Sequence, residues 1–222
     1  VQIMKKTIYF DAFDQSAYEE LGRELYHLLE NDRDHTQPVI VLCIGTDRVT
    51  GDSLGPLVGH QLLASANRFI VYGNLEEPVH AINLIETMEE IYAEYENPFV
   101  IAIDASLGSK DHIGYVTLRQ GPLKPGQGIS KDLPAIGDIS ITGIVNLSGR
   151  PGAFLLQNTR LYTVMKLVDC IASGISHAED LEEFEGILET DAAGSIEEIE
   201  EVDDFIEEEK NISSFMSNTL TA

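Results

Sequence analysis

The chain has 222 residues, with 38 Asp and Glu against 14 Lys and Arg, a formal net charge of −24 at pH 7. That balance argues against nucleic acid as a partner, because phosphate binding needs Lys and Arg to displace counterions. It disfavours an anionic membrane surface in the same way, and it favours long-range attraction of a basic protein or peptide. The charge is uneven: residues 177–222 hold sixteen of the acids and one base, which leaves twenty-two acids and thirteen bases to residues 1–176. No apolar run approaches the ~18 residues that span a bilayer. The start of the sequence has no basic-then-apolar leader, so a cytosolic chain is expected. Cys43 and Cys170 sit in "VLCIG" and "LVDCIA" and read as small core residues of a reducing compartment.

"KKTIYFDAF" suits a lead-in strand, and "QSAYEELGRELYHLLEND" follows with Tyr18, Leu21, Leu25, Leu28 and Leu29 at helical spacing. "VIVLCIG" is a near-continuous apolar run, typical of a strand covered on both faces. "SLGPLVGHQLLASAN" is helical in pattern, with Leu54, Leu57, Val58, Leu62 and Leu63 expected on one face. "RFIVYGN" predicts a strand, "VHAINLIETMEEIYAEYEN" a helix, and "FVIAIDA" a third buried strand. "HIGYVTLRQ" alternates as an edge or antiparallel strand does. "GPLKPGQGISKDLPAIGD" is a Gly/Pro-rich loop of about eighteen residues, long enough to be functional rather than a spacer. "ISITGIVN" suits another strand, and "NTRLYTVMKLVDCIASGIS" a closing helix.

Alternating strands and helices predict a three-layer α/β/α sandwich with a mainly parallel sheet, over residues 1–176. Residues 177–222 are Glu-rich with thin hydrophobicity, the pattern of a disordered or marginally helical tail. Its spaced apolar residues suit a docking segment for a partner.

The chemistry concentrates in "GTDRVTGDSLGP", which admits three readings. A Walker-type phosphate loop needs four residues between its glycines and then Lys, whereas five separate Gly45 from Gly51 and Asp52 stands in the lysine's place. That reading fails. A Gly-Asp-Ser-Leu serine esterase needs a late Asp-x-x-His base, but His177 is preceded at position 174 by Gly. Without an oriented base the Ser53 hydroxyl is a weak nucleophile. The third reading makes Asp52 reactive, at the carboxyl end of a parallel strand where open α/β sheets bind their ligands. Asp104, directly after "FVIAI", holds an equivalent position. Each alone also suits a cap or a loop tie. Together they form a carboxylate pair in which one keeps a proton while the other serves as base, or which holds a divalent metal.

"IGTDRVTGDSLGP", "FVIAIDASLGS" and "LKPGQGISKDLPAIGDISITGIVN" resemble the sporulation protease-like YyaC family, over about Val39 to Ser173. That family is similar to the spore germination protease and, more distantly, to hydrogenase maturation endopeptidases. The resemblance implies a phosphorylase/hydrolase-like sandwich and an atypical aspartic peptidase site. It also implies a role in sporulation, in forespore or mother cell, with small acid-soluble spore proteins as the substrate class. Asp52 matches the first acidic position of the germination protease and Asp104 the second. "PGQG", Pro125 to Gly128, is similar to that protease's "PGSG", so the long loop is expected to border the cleft. The maturation enzymes carry a histidine as third metal ligand, and "LPAIGDIS" offers none. His80 and His112 fall elsewhere, so a metal-independent pair with no cofactor is expected.

Gly51, Ser53, Gly108, Gly126, Gly128 and Lys131 are the candidate substrate contacts, and Gly55 joins Gly51 and Gly108 as a site of close backbone approach. Turn geometry alone accounts equally for the glycines, and a solvated loop charge for Lys131. The expected function is peptide-bond hydrolysis by paired aspartates; the competing reading is a peptide-binding protein on the same fold without catalysis.

Overall fold

Because "VIVLC" is apolar at every position, as a strand it needs cover on both faces. The structure, a computed structural model describing residues 6–65, 68–125, 134–149 and 151–185, supplies that cover. The chain forms two units, Val1–Asp180 and Leu181–Ala222. Of the second unit, residues 181–185 are described, and they are helical. The first unit extends past the boundary expected at residue 176, because Ala178 and Glu179 are buried in it.

In chain order the first unit contains β1 (Thr7–Asp11), α1 (Ala17–Asp32), β2 (Val39–Cys43), α2 (Leu54–Ala64), β3 (Ile70–Tyr72), α3 (Leu84–Glu94), β4 (Phe99–Gly108), β5 (Tyr115–Gln120), β6 (Ile139–Leu147), α4 (Gly152–Gln157) and α5, a helix over residues 161–180. The sheet order is β1-β5-β6-β4-β2-β3. β6, β4, β2 and β3 run parallel, and β5 is antiparallel to both β6 and β1. β5 therefore has the antiparallel sense its alternation predicts but is no edge strand, since β1 pairs outside it. The short α4 has no sequence signal of its own, because six residues are too few to show a periodic face.

Three layers result. One face of the sheet packs Leu21, Leu25 and Leu29 of α1, Leu54, Val58 and Leu62 of α2, and Val164, Leu167, Ile171 and Ile175 of α5. The other face packs Leu84 and Ile91 of α3, together with Leu123 and Ile136 from the long loop after β5. Each of these large side chains contributes about 1.5–3 kcal/mol when fully withdrawn from water. Leu123 and Ile136 also pair as an antiparallel bridge, so the ends of the long loop are fastened to each other. Cys43 and Cys170 are free and buried, and burial pushes the Cys170 thiol up to about 12, as befits core residues.

α2 buries a different set of residues from the one its leucines alone predict. Leu54, Val58 and Leu62 are buried as expected, but Leu63 is 54% exposed, and Gly55 and Gly59 are buried with the leucines. A Cβ on Gly55 would stand 2.2 Å from the Ile44 carbonyl oxygen, and one on Gly59 would stand 1.9 Å from that of Gly73. The glycines thus let the helix start directly against the end of β2. Gly55→Ala is expected to lower unfolding stability by about 1–3 kcal/mol, the usual cost of overpacking, read from urea midpoints. An unchanged midpoint would show that α2 has room to move.

α5 is tied to the entry of β3 by Glu179, which is buried. Its Oε1 accepts the backbone N–H groups of Arg68 at 2.9 Å and Phe69 at 2.7 Å, and the Arg68 guanidinium donates to its backbone carbonyl. Burial pushes this carboxyl above the usual 4.5, against the pull of the two N–H groups and the Arg68 charge. The native state therefore binds this proton more readily than the unfolded chain. The contribution to stability falls as pH rises from 4.5 through the raised native value, then levels. Glu179→Gln is expected to gain stability relative to wild type across that window, measured by urea unfolding at successive pH values. A constant difference at all pH values would contradict it.

Candidate active site

The parallel pairing of β2 with β4 ends at Cys43 opposite Ile103, and one further bond follows from the Ile44 N–H to the Ile103 carbonyl at 2.8 Å. From β2 the chain moves outward through α2 to β3; from β3 it crosses the opposite face through α3 to β4. The direction of sheet growth reverses between these two neighbours, and such a reversal leaves a crevice at the strands' carboxyl ends.

Asp52 is returned to this crevice by a closed loop. The Gly45 N–H donates to the Val79 carbonyl at 2.8 Å, the Thr46 N–H to the Asp52 carbonyl at 3.0 Å, and the Asp52 N–H to the Val49 carbonyl at 2.9 Å. Gly45 has φ 147°, and a Cβ there would lie 2.1 Å from the Asp52 carbonyl oxygen, so only glycine permits the closure. Asp52 belongs to a 3-10 turn, Thr50–Ser53, that packs against β4. The N-cap of α2 is Ser53, with no side-chain capping bond, so the Asp52 carboxylate does not serve as the helix cap.

Asp104 is the first residue of β4 beyond the pairing with β2, and it lies opposite Thr142 of β6. It is buried at 9% exposure, and its Oδ1 accepts the Ala105 N–H at 2.8 Å. Hydroxyls line its β6 side. Thr142 Oγ1 stands 2.8 Å from Thr117 Oγ1 and accepts from Ser106 Oγ at 3.2 Å. Ser106 follows Asp104 by two, which in a strand places both on one face.

Asp52 is half-buried, and burial raises its carboxyl above the usual 3.8; the Thr46 N–H and the charge of His80 oppose that rise. A buried carboxyl with a raised pKa is the property a general acid or base near neutral pH requires. Among the described residues, no group of three His, Cys, Asp or Glu side chains is arranged to hold a metal ion.

The remaining candidates divide. Gly51 is buried, and a Cβ on it would lie 2.7 Å from Thr159 Oγ1 and 2.8 Å from the Leu156 carbonyl, so its smallness serves the contact with α4. Ser53 is 6% exposed, and its Oγ donates to the Thr50 carbonyl at 2.8 Å, which engages the hydroxyl an esterase would need free. A Cβ on Gly108 would meet Ile144 Cγ2 at 2.8 Å. Gly126, Gly128 and Lys131 lie outside the described residues. His112 packs between Tyr9 and Tyr115, with ring centroids at 4.9 and 5.5 Å, and His177 packs against Tyr18. Both act as packing residues.

Ser106, Thr117 and Thr142 belong to no functional motif of the sequence. The period-2 alternation of "DAS" was a signal for Ser106; the others become neighbours through strand order alone.

Residues 9–174 match the family described as "Protein of unknown function (DUF1256)". A curated relative, "Uncharacterized protein YyaC" of Bacillus subtilis (strain 168), is 52% identical over 141 residues, which span 63% of this chain and 69% of the relative. Among solved structures, the crystal structure of the NiFe hydrogenase maturation protease HycI from Thermococcus kodakarensis KOD1 is similar over 69% of this chain and 99% of that one, with a TM-score of 0.44 and 15% identity. The match across residues 9–174, together with the relative named YyaC that the motifs led us to expect, establishes that the chain belongs to the DUF1256 family.

Proposed function

We propose that the chain is a peptidase in which Asp52 and Asp104 work as a pair on a water molecule. The observation that carries this reading is their common position: one carboxyl follows β2, the other follows the last β2-paired residue of β4, and the turn bearing Asp52 packs on β4. Two carboxyls brought together do not both ionise readily, so one holds a proton near neutral pH.

In the step proposed, the ionised carboxylate takes a proton from water while the oxygen attacks the substrate carbonyl carbon. The neutral carboxyl gives its proton to the carbonyl oxygen, forming a tetrahedral diol. Collapse of the diol breaks the C–N bond as the carboxyl that took the water's proton gives it to the leaving amine, and a diol hydroxyl returns its proton to the other carboxylate, restoring the pair. The Ser106, Thr142 and Thr117 hydroxyls beside Asp104 offer hydrogen-bond partners for an extended peptide backbone. A basic substrate segment suits a chain of charge −24, and small acid-soluble spore proteins are the substrate class proposed from the motif resemblance.

The test is incubation of such proteins with wild type, Asp52→Asn and Asp104→Asn, with and without chelator, followed by mass spectrometry of the products. Each substitution is expected to reduce cleavage by about 10²–10⁴-fold while circular dichroism and the melting temperature stay close to wild type. Chelator is expected to have no effect. Activity is expected to follow a bell in pH, with its acid limb above the ordinary Asp value of 3.8, because burial raises Asp52. Cleavage that survives both substitutions would overturn the paired-aspartate mechanism. Binding without cleavage by wild type would favour the peptide-binding reading.

A further inference from the structure

We propose that the cavity between α1, α2 and α5 is a second site of this chain, one that binds a small primary alkylammonium with Asp180 as its charge partner. The site lies apart from the aspartate pair and is independent of the peptidase reading.

α1 and α5 cross closely. A Cβ on Gly22 would stand 2.8 Å from the Gly174 carbonyl oxygen, and one on Gly174 would stand 2.8 Å from Leu21 Cδ2, so two glycines permit the crossing. His177 lies over Gly22 and meets the Tyr18 ring edge-on, with centroids 6.3 Å apart. Between this crossing and the end of α2 a cavity of about 320 Å³ remains. Tyr18 of α1, Gln61 of α2, and Ser173, Ser176, His177 and Asp180 of α5 line it, all within the first unit. The α5 residues are spaced i, i+3, i+4 and i+7, which brings them to one face of the helix. α2 runs from the exit of β2 to the entry of β3, so its last turn lies at the opposite end of the sheet from Asp52 and Asp104.

The lining is polar where an interface between helices is ordinarily apolar. Among the described residues, the Gln61 amide, the Ser173 hydroxyl and the His177 ring make no hydrogen bond, although all three residues are half-buried. Ser65, also on the cavity, donates from Oγ to the Gln61 backbone carbonyl at 3.2 Å and leaves the Gln61 side chain unengaged. Polar groups that converge on a cavity and bond to nothing in the protein are the groups a ligand engages.

The fixed charges select the sign of that ligand. Asp180 is exposed at the cavity, its chain neighbour Glu179 is buried, and Glu19 accepts the Tyr18 hydroxyl at 3.2 Å. The neighbouring cations are engaged elsewhere: Arg23 pairs with Glu19 at 3.9 Å, and the Arg68 guanidinium donates to the Glu179 backbone carbonyl. This set repels an anion, and a neutral ligand leaves the Asp180 charge unused. An ammonium group has three donors and no acceptor, which matches the Asp180 carboxylate, the Gln61 side-chain carbonyl and the Ser173 hydroxyl. The Tyr18 ring offers a wall that suits a short hydrocarbon chain and favours a cation beside it. A cavity of about 320 Å³ is at the small end of ligand sites, so the amine is a small molecule.

The experiment is a proton–nitrogen NMR titration of the full chain with butylammonium, and with 1-butanol as the uncharged probe of the same shape. Saturable shifts are expected at Ala172, Ser173 and His177 with butylammonium and not with 1-butanol. Asp180→Asn is expected to weaken binding by about tenfold or more. Asp169→Asn, which removes an exposed carboxylate of the same helix outside the cavity, is expected to leave binding unchanged. Gln61→Leu serves as the second variant if circular dichroism shows Asp180→Asn to be misfolded, and it too is expected to weaken binding. Three results would each overturn the inference: no saturable shift at those residues, an equal response to 1-butanol, or an equal loss in Asp180→Asn and Asp169→Asn. The last would mark attraction by the overall charge of −24 rather than by a site.

Discussion

The parallel pairing of β2 with β4 is the constraint on which the rest of the site depends. Parallel neighbours send their chains out at the same end of the sheet, and here the two exits face a point where sheet growth reverses. Any residue placed just beyond Cys43 or Ile103 is therefore delivered to one crevice. The apolar runs that build these strands make that delivery rigid. Ile40, Val41, Leu42 and Cys43 are fully buried, as are Val100, Ile101, Ala102 and Ile103, so neither exit can slide without exposing core.

Rigid strands alone do not bring Asp52 back to the sheet, because it lies well past the end of β2. Its return depends on backbone, with Gly45 accepting the near contact of the Asp52 carbonyl and Gly55 letting α2 begin against Ile44. Gly45 and Gly55 of the motif thus act in closing the loop. The same logic separates the two aspartates. Asp104 is carried by a strand and needs nothing beyond register, while Asp52 is carried by a loop and is sensitive to every group that packs on it.

Much of this was legible in the sequence, for identifiable reasons. Strands buried on both faces have no polar residue to hide, so "VIVLC" and "FVIAI" declare themselves, and the carboxylates that follow them stand out. The α/β/α layering follows from the alternation of such runs with helical ones. What sequence could not supply was lateral order. β5 is interior because β1 pairs beyond it, and Thr117, Thr142 and Asp104 form one row only because β5, β6 and β4 are adjacent. The bridge of Val79 to Ile44, which brings the segment before α3 to the exit of β2, is likewise not encoded by spacing. The leucine pattern of α2 misplaced Leu63, since a helix packing through glycines presents a narrower apolar face than its hydrophobic residues imply.

The central claim is that Asp52 and Asp104 behave as one titrating pair, and the titration of the Asp104 carboxyl tests it most directly. Carbon-detected NMR of wild type and Asp52→Asn reads that group without reference to any substrate. Removal of a neighbouring carboxylate takes away a like charge, so Asp104 is expected to titrate at lower pH in the variant and in a single step. An Asp104 titration that is the same in both proteins would show that the two carboxyls do not share a site, and would contradict the account.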